Sequence, residues 1–316
     1  MVLCLLAAGL PAAAVAGTSY VDAGGSIQAA VRAAADGDTI VCGPGTFREN
    51  VVVASRTNLK LVSNGATIEA ADATRAAVVI RDSAGCGLES FTVKGGAGGC
   101  VTAVRCPDVK IKKNRCSTPS GTTVYAESCA RAYVEENTCV RSGGHGIHFK
   151  DCEAPVCRYN DVGNCVGHGI HVVVGAGVQS ATCVSNTVTN CGGSGISVVG
   201  GVAARIHANV VDTCGRDGVC FSGRHHTCDN NTIRNCSRHG CKLSGDYCTV
   251  TYNSIRYCSG YGVVIVGSSN TCSYNTIYAA VSGALSVSGT ANLLLGNIVL
   301  GLGLGLGGGL GIGLGL

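Results

Sequence analysis

Two stretches of this chain read Gly-His-Gly-Ile-His, one from Gly144 to His148 and the next from Gly167 to His171. Histidine changes charge near neutral pH and is the commonest protein ligand of transition metals. Four imidazoles at this spacing suit two chemistries. They would hold copper or zinc through neutral rings. Alternatively, His148 and His171 would act as bases that take a proton from the carbon beside a uronate carboxylate, with a cation neutralising that carboxylate. Lys150 and Lys242 are the candidate neutralisers. A bland reading stands beside both: bends tolerate polar residues, and histidine recurs because a repeat was duplicated.

Whether these residues meet depends on the elements that carry them, and those are set by a repeat. Asn114, Asn137, Asn160, Asn186, Asn209, Asn231, Asn253, Asn275 and Asn297 follow one another at intervals of 23, 23, 26, 23, 22, 22, 22 and 22 residues. A period of that length means stacked units that each touch only their neighbours. Apolar residues recur at fixed offsets, as in Asn186-Thr-Val-Thr-Asn-Cys191 followed by Gly195-Ile-Ser-Val198. Three short inward-facing strands per turn result, broken by bends, and the asparagines bond across rungs at one bend. The expected fold is an all-β, right-handed parallel β-helix solenoid with three strands per rung of about 22 residues. Ser26 opens a short helix with Ile27, Ala30, Val31 and Ala34 on one face, expected to cap the stack and to stop at Gly37.

Stacking turns spacing into surface columns, about 4.8 Å per rung. Eleven residues after each Asn the outward column reads His148, His171, Ser197, Cys220, Lys242 and Val264. Eight after, it reads His145, His168, Ser194, Asp217, His239 and Tyr261. His145, His168, His239 and Asp217 are therefore candidate contacts to a substrate held beside His148 and His171. A second feature is the basic run Lys110-Ile-Lys-Lys-Asn-Arg115, with Lys110 and Lys112 on one outward face and Arg158 two rungs on in the Lys112 column. Such a stripe suits an acidic polysaccharide, bound less tightly as salt rises. Outward valines at 173, 199 and 266 argue the other way, for a surface or accessory protein without catalysis.

The 316 residues carry 48 glycines, no tryptophan and a formal charge of +4, too mild for a nucleic-acid binder. Residues 1–16 are apolar and end in Ala14-Val15-Ala16, a small-x-small cleavage pattern that implies export, although no Lys or Arg precedes it. No later segment reads as a membrane-spanning helix. One β-helix domain is expected over residues 18–300, as a monomer, with a Gly/Leu tail at 301–316. The chain has 21 cysteines. Cys157, Cys183, Cys228 and Cys272 share a column with Ile206 and Val250, so they read as small buried hydrophobes. Mostly free, stacked thiols are expected, with a few bridges among off-column cysteines such as Cys152.

The opening Ser26-Ile-Gln-Ala-Ala, Gly37-Asp-Thr-Ile and Gly43-Pro-Gly-Thr-Phe-Arg-Glu-Asn-Val, together with the Asn-Thr-Ile-x-Asn-Cys and Gly-Ile units, resemble the right-handed parallel β-helix superfamily, including its NosD-type members. The resemblance implies the fold over roughly residues 18–300 and leaves activity open. Among relatives are lyases, polygalacturonases, uronate epimerases, tailspikes, adhesins and copper-maturation accessories. Gly-His-Gly-Ile is similar to one polygalacturonase motif, but the Asn-Thr-Asp and Asp-Asp motifs that accompany it there are absent. So are the Asp-Pro-His of uronate epimerases and the Arg-x-Pro-x-x-Arg of pectate lyases. The expected function is binding or modification of an acidic polysaccharide outside the cytoplasm, by β-elimination or epimerisation if catalytic. Calcium is one candidate cofactor, for instance at Asp212, Asp217 and Asp229, with copper or zinc the alternative.

Overall fold

The computed structural model describes residues 16–301. The expected leader, apart from Ala16, and the tail, apart from Gly301, lie outside the described residues. The chain winds as a right-handed solenoid whose three parallel sheets contain 13, 12 and 11 strands. One rung shows the plan: Val156–Arg158 lies in the first sheet (A), Asp161–Cys165 in the second (B) and Ile170–Val173 in the third (C). Neighbouring rungs pair in register, as Cys157 does with Cys183 and His148 with His171.

Period-2 alternation drives the packing. Inward residues such as Ile111, Val134, Phe149, Ile170 and Ile233 are fully buried, and they form one continuous core along the axis. The helix Ile27–Ala33 starts at Ser26, whose hydroxyl accepts the Ala29 N–H, and it places Ile27 and Val31 in that core. It ends before Gly37, with Ala34 already extended. Gln28 bonds both backbone groups of Val52, so the first strand of sheet C finds partners on the helix.

Corners are where sequence and geometry meet most closely. Between sheets A and B, the residue just before each ladder asparagine adopts the left-handed conformation, and it is a non-glycine at every rung but the last, as at Lys113, Glu136, Tyr159 and Ala208, with Gly296 before Asn297. That backbone costs on the order of 1 kcal/mol or more per residue. The asparagine offsets it with several hydrogen bonds, each worth about 0.5–1.5 kcal/mol. Asn209 Oδ1 accepts from Asn186 N at 2.9 Å, and its Nδ2 donates to Cys183 O at 2.9 Å and to Asn231 Oδ1 at 2.9 Å. The same pattern links Asn114 to Asn297 through every intervening member.

A second ladder, between sheets C and A, changes residue type as it goes. Cys129 Sγ accepts from Cys106 N, Cys152 Sγ from Cys129 N, His226 Nδ1 from Ala204 N, Cys248 Sγ from His226 N, and Asn270 Oδ1 from Cys248 N. Cys152 is therefore not bridged, contrary to expectation. Every described cysteine is a free thiol, and the inward columns are buried as expected. Rung spacing explains the correction: about 4.8 Å between stacked positions exceeds the β-carbon separation of a relaxed disulfide. The long 26-residue interval is absorbed at this same corner, where Gly175, Ala176 and Gly177 protrude while the strands on either side stay in step.

Candidate functional site

On sheet C the outward column runs Thr102, Tyr125, His148, His171, Ser197, Cys220, Lys242 and Val264, each paired to the next across the rungs. It is recessed rather than fully exposed: Ser197 is 3% and Val264 8% accessible. The corner before the sheet causes this. A side chain at Gly146 or Gly169 would collide with Val162 or Val188 and with the next rung's backbone, so the chain passes tightly there and the preceding residue lies against the column. Tyr125 belongs to this column, eleven residues after Asn114, and is an addition to the expected set.

Five rings gather as a result. Ring centroids lie 4.9 Å apart for His148 and His171, 5.2 Å for His145 and His168, 4.8 Å for His145 and His171, and 5.2 Å for Tyr125 and His148. The expected meeting of four histidines therefore occurs, but the rings do two different things. His145 Nδ1 accepts the His168 N–H and His168 Nδ1 accepts the Ser194 N–H, both at 2.9 Å. His239 Nδ1 likewise accepts from Tyr261 N at 3.0 Å, and Asp217 Oδ1 accepts from His239 N at 3.1 Å. These four side chains tie rung to rung. A neutral ring whose Nδ1 accepts carries its proton on Nε2, so His145, His168 and His239 have no free lone pair for a metal. Among the described residues, no three His, Cys, Asp or Glu side chains are arranged to hold a metal ion. Asp212, Asp217 and Asp229 lie apart, Asp212 against Arg234 on sheet B and Asp229 against His207 on sheet A.

His148 and His171 differ. His148 Nε2 and His171 Nδ1 are buried without a hydrogen-bond partner. Burial, reinforced by neighbouring imidazoles, lowers His148 to about 4 and His171 to about 3, so both rings are neutral at pH 7. Lys150 Nζ sits 2.7 Å from Glu127 Oε1, and this bond raises the lysine above its ordinary value. Burial first, then a hydrogen bond to Glu127, pushes the Tyr125 phenol up to about 12. Lys242 is half-buried and forms no ion pair among the described residues. Val199 and Val266, one column over, are 43% and 46% exposed.

The basic run lies elsewhere. Lys110, Lys112 and Arg158 are on sheet A, so they and the histidines occupy two faces of the coil rather than one groove. Between Lys112 and Arg158 stands Glu135, overlooked in the sequence although it shares their column. Its side chain is 3% exposed, with Oε2 2.7 Å from Lys112 Nζ and Oε1 2.7 Å from Arg158 Nε. The second contact is an ion pair whose angle falls short of a hydrogen bond. Burial alone would raise this carboxyl, but the two cations outweigh it and hold it below the usual range. Arg105 and Lys113 pair with Asp82 and Glu89 on neighbouring rungs.

Comparison with known proteins places this geometry. No curated protein matches the chain by sequence. Among solved structures, the A-module of a mannuronan C-5 epimerase from Azotobacter vinelandii superposes with a TM-score of 0.61 at 15% identity, covering 86% of this chain and 92% of that one. PfbA, a surface adhesin of Streptococcus pneumoniae, gives 0.60 at 11% identity over 87% and 86%. The catalytic unit of an α-1,3-glucanase from Streptomyces thermodiastaticus gives 0.55 at 14% identity over 92% and 68%. At these identities the likeness is one of fold. In the described residues no helix is long and apolar enough to cross a membrane. The model of the right-handed β-helix region matches residues 52–211 and 172–310, and the chain belongs to that family.

Proposed function

We propose that the chain binds an acidic polysaccharide laid along sheet C, from rung to rung, outside the cytoplasm. The observation that carries this reading is the recessed column itself: a platform of five rings at Tyr125, His145, His148, His168 and His171, continued by Ser197, Cys220 and the unpaired Lys242. Rings of this kind offer apolar faces to sugar carbons and polar edges to hydroxyls. Lys242 supplies a cation for a uronate carboxylate, and Asp217 and His239 line the approach to it. The solved β-helices that resemble this chain include an epimerase of mannuronan, a glucanase and an adhesin, which supports a carbohydrate partner.

If the complex is reactive, the chemistry is removal of the proton beside the carboxylate. His148 or His171 accepts that proton, since each ring is neutral at pH 7. Lys242 offsets the charge that develops on the carboxylate, while Lys150 stays engaged with Glu127. Loss of the leaving group on the neighbouring carbon completes an elimination, and return of a proton to the opposite face completes an epimerisation. A base far below the working pH is a weak one, and Val199 and Val266 leave an apolar strip beside the column. Those two facts favour a second reading, a surface protein that holds polysaccharide without transforming it.

The deciding experiment incubates the protein with pectate, alginate and glycosaminoglycans, with and without calcium, while following unsaturated-uronate absorbance and polymer binding. Binding that weakens with salt and is reduced in His148→Ala/His171→Ala supports the sheet C reading, and absorbance growth adds catalysis. Absence of binding to all three polymers rejects both.

A further inference from the structure

Sheet A carries a shallow hollow of about 340 Å³, lined by Asp108, Lys110, Lys112, Tyr133, Glu135 and Arg158. That volume is at the lower end of small-ligand sites. It lies on a different sheet from the histidines.

The hollow is built from two adjacent columns. One runs Lys110, Tyr133 and Val156, the other Lys112, Glu135 and Arg158. Asp108 is held by Arg131 at 2.6 Å, and the Glu135 carboxylate is shared between Lys112 and Arg158. Lys110 is exposed and forms no ion pair among the described residues. One rung before it in the same column comes Gly87, and one rung before that Lys60, also exposed and unpaired. A Cβ at Gly87 would stand 3.9 Å from Lys60 Cγ and 4.0 Å from Lys110 Cβ, so the two lysine stems flank a notch floored by glycine. Lys112 and Arg158 each retain donors, because an ammonium has three and a guanidinium five. Glu135 Oε1 is buried against Arg158, so the carboxylate holds the two cations in place rather than facing the hollow.

These features ask for complementary chemistry: an oxyanion for Lys60, Lys110 and the spare donors, and a ring for the face of Tyr133. We propose that this hollow is a separate binding site for one acidic sugar unit, its carboxylate or sulfate ester on Lys110 and its ring against Tyr133. The notch at Gly87 then takes the next anionic group of a chain running toward Lys60, two rungs or about 9.6 Å away. The site does not depend on what sheet C does.

Its test is calorimetric titration with oligogalacturonate, a heparin oligosaccharide and inorganic sulfate, at low and at moderate salt. Both oligosaccharides should bind the wild type more tightly than sulfate does; the tighter of the two identifies the anionic group. Lys110→Ala should weaken oligosaccharide binding about tenfold. Tyr133→Ala should weaken it while leaving sulfate unchanged. Glu135→Gln keeps an acceptor but releases two cations, so it should tighten binding several-fold; if that variant does not fold, the exposed Lys110→Ala and Tyr133→Ala decide. His148→Ala/His171→Ala should retain the sheet A affinity. No binding by the wild type, affinity unmoved in Lys110→Ala, or loss of all binding in the histidine variant overturns the proposal. The last result would leave the sheet C reading standing.

Discussion

Glu135 on sheet A and His148 on sheet C lie thirteen residues apart in the chain, on neighbouring faces of the coil. Both are titratable side chains on outward columns, yet burial treats them in opposite ways. Glu135 keeps its charge because a cation stands on the rung to either side. His148 gives its charge up chiefly because burial disfavours the cation, with the imidazoles of His145 and His168 adding to the effect. An outward position in a solenoid is therefore not automatically a wet one. What decides its ionisation is whether opposite charges nearby outweigh the cost of burial.

The sharpest way to break this contrast is to remove Glu135. Glu135→Leu leaves the partly exposed Lys112 and Arg158 without their shared partner, so stability should fall by up to about 3 kcal/mol, read from denaturant midpoints at unchanged m-value. Double replacement of Lys112 and Arg158 by Met in the same background should recover much of that loss. A Glu135→Leu protein as stable as the wild type would show the triad to be idle.

A smaller effect separates the faces by pH. His148 and His171 have folded values of about 4 and 3, below the ordinary imidazole value of about 6.5. The unfolded chain therefore binds more protons than the folded one between those values, and stability rises with pH there. Their contribution is whole above about pH 6.5 and is lost as pH falls through the folded values. Allowing for their partial exposure, the pair should account for about 1–3 kcal/mol across that window. His148→Phe/His171→Phe should flatten the slope; an unchanged slope would assign it to other groups. Smallest of all should be Lys150→Ala. Its pair with Glu127 is solvated on both sides, so the melting temperature should stay within measurement error.

The architecture was legible because one corner spells its ladder with a single letter. Asparagine at 22- or 23-residue spacing is visible to counting, and the sheets, register and buried columns follow from it. The corner between sheets C and A builds an equivalent ladder from Cys106, Cys129, Cys152, His226, Cys248, Asn270 and Asn292. From Cys129 onward each side chain accepts an N–H from the adjacent rung, the first of them from Cys106 N, yet no repeated letter marks them, so Cys152 reads as a bridge candidate until the backbone is seen. At the candidate site the four histidines were placed together correctly. Missed were Tyr125 beside them on sheet C and Glu135 on sheet A, although the period itself points to both: Tyr125 is eleven residues after Asn114, and Glu135 two before Asn137. What spacing does not carry is which ring nitrogen a backbone amide occupies, and that is what separates His145 and His168 from His148 and His171.

The protruding Gly175–Gly177 bend has a practical corollary. The coil swallows surplus chain at that corner and resumes its pairing unperturbed, Cys157 against Cys183 and Val173 against Val199. Foreign peptide spliced between Ala176 and Gly177 should be displayed as a tethered loop, which makes this vertex a ready port for epitope or reporter grafts.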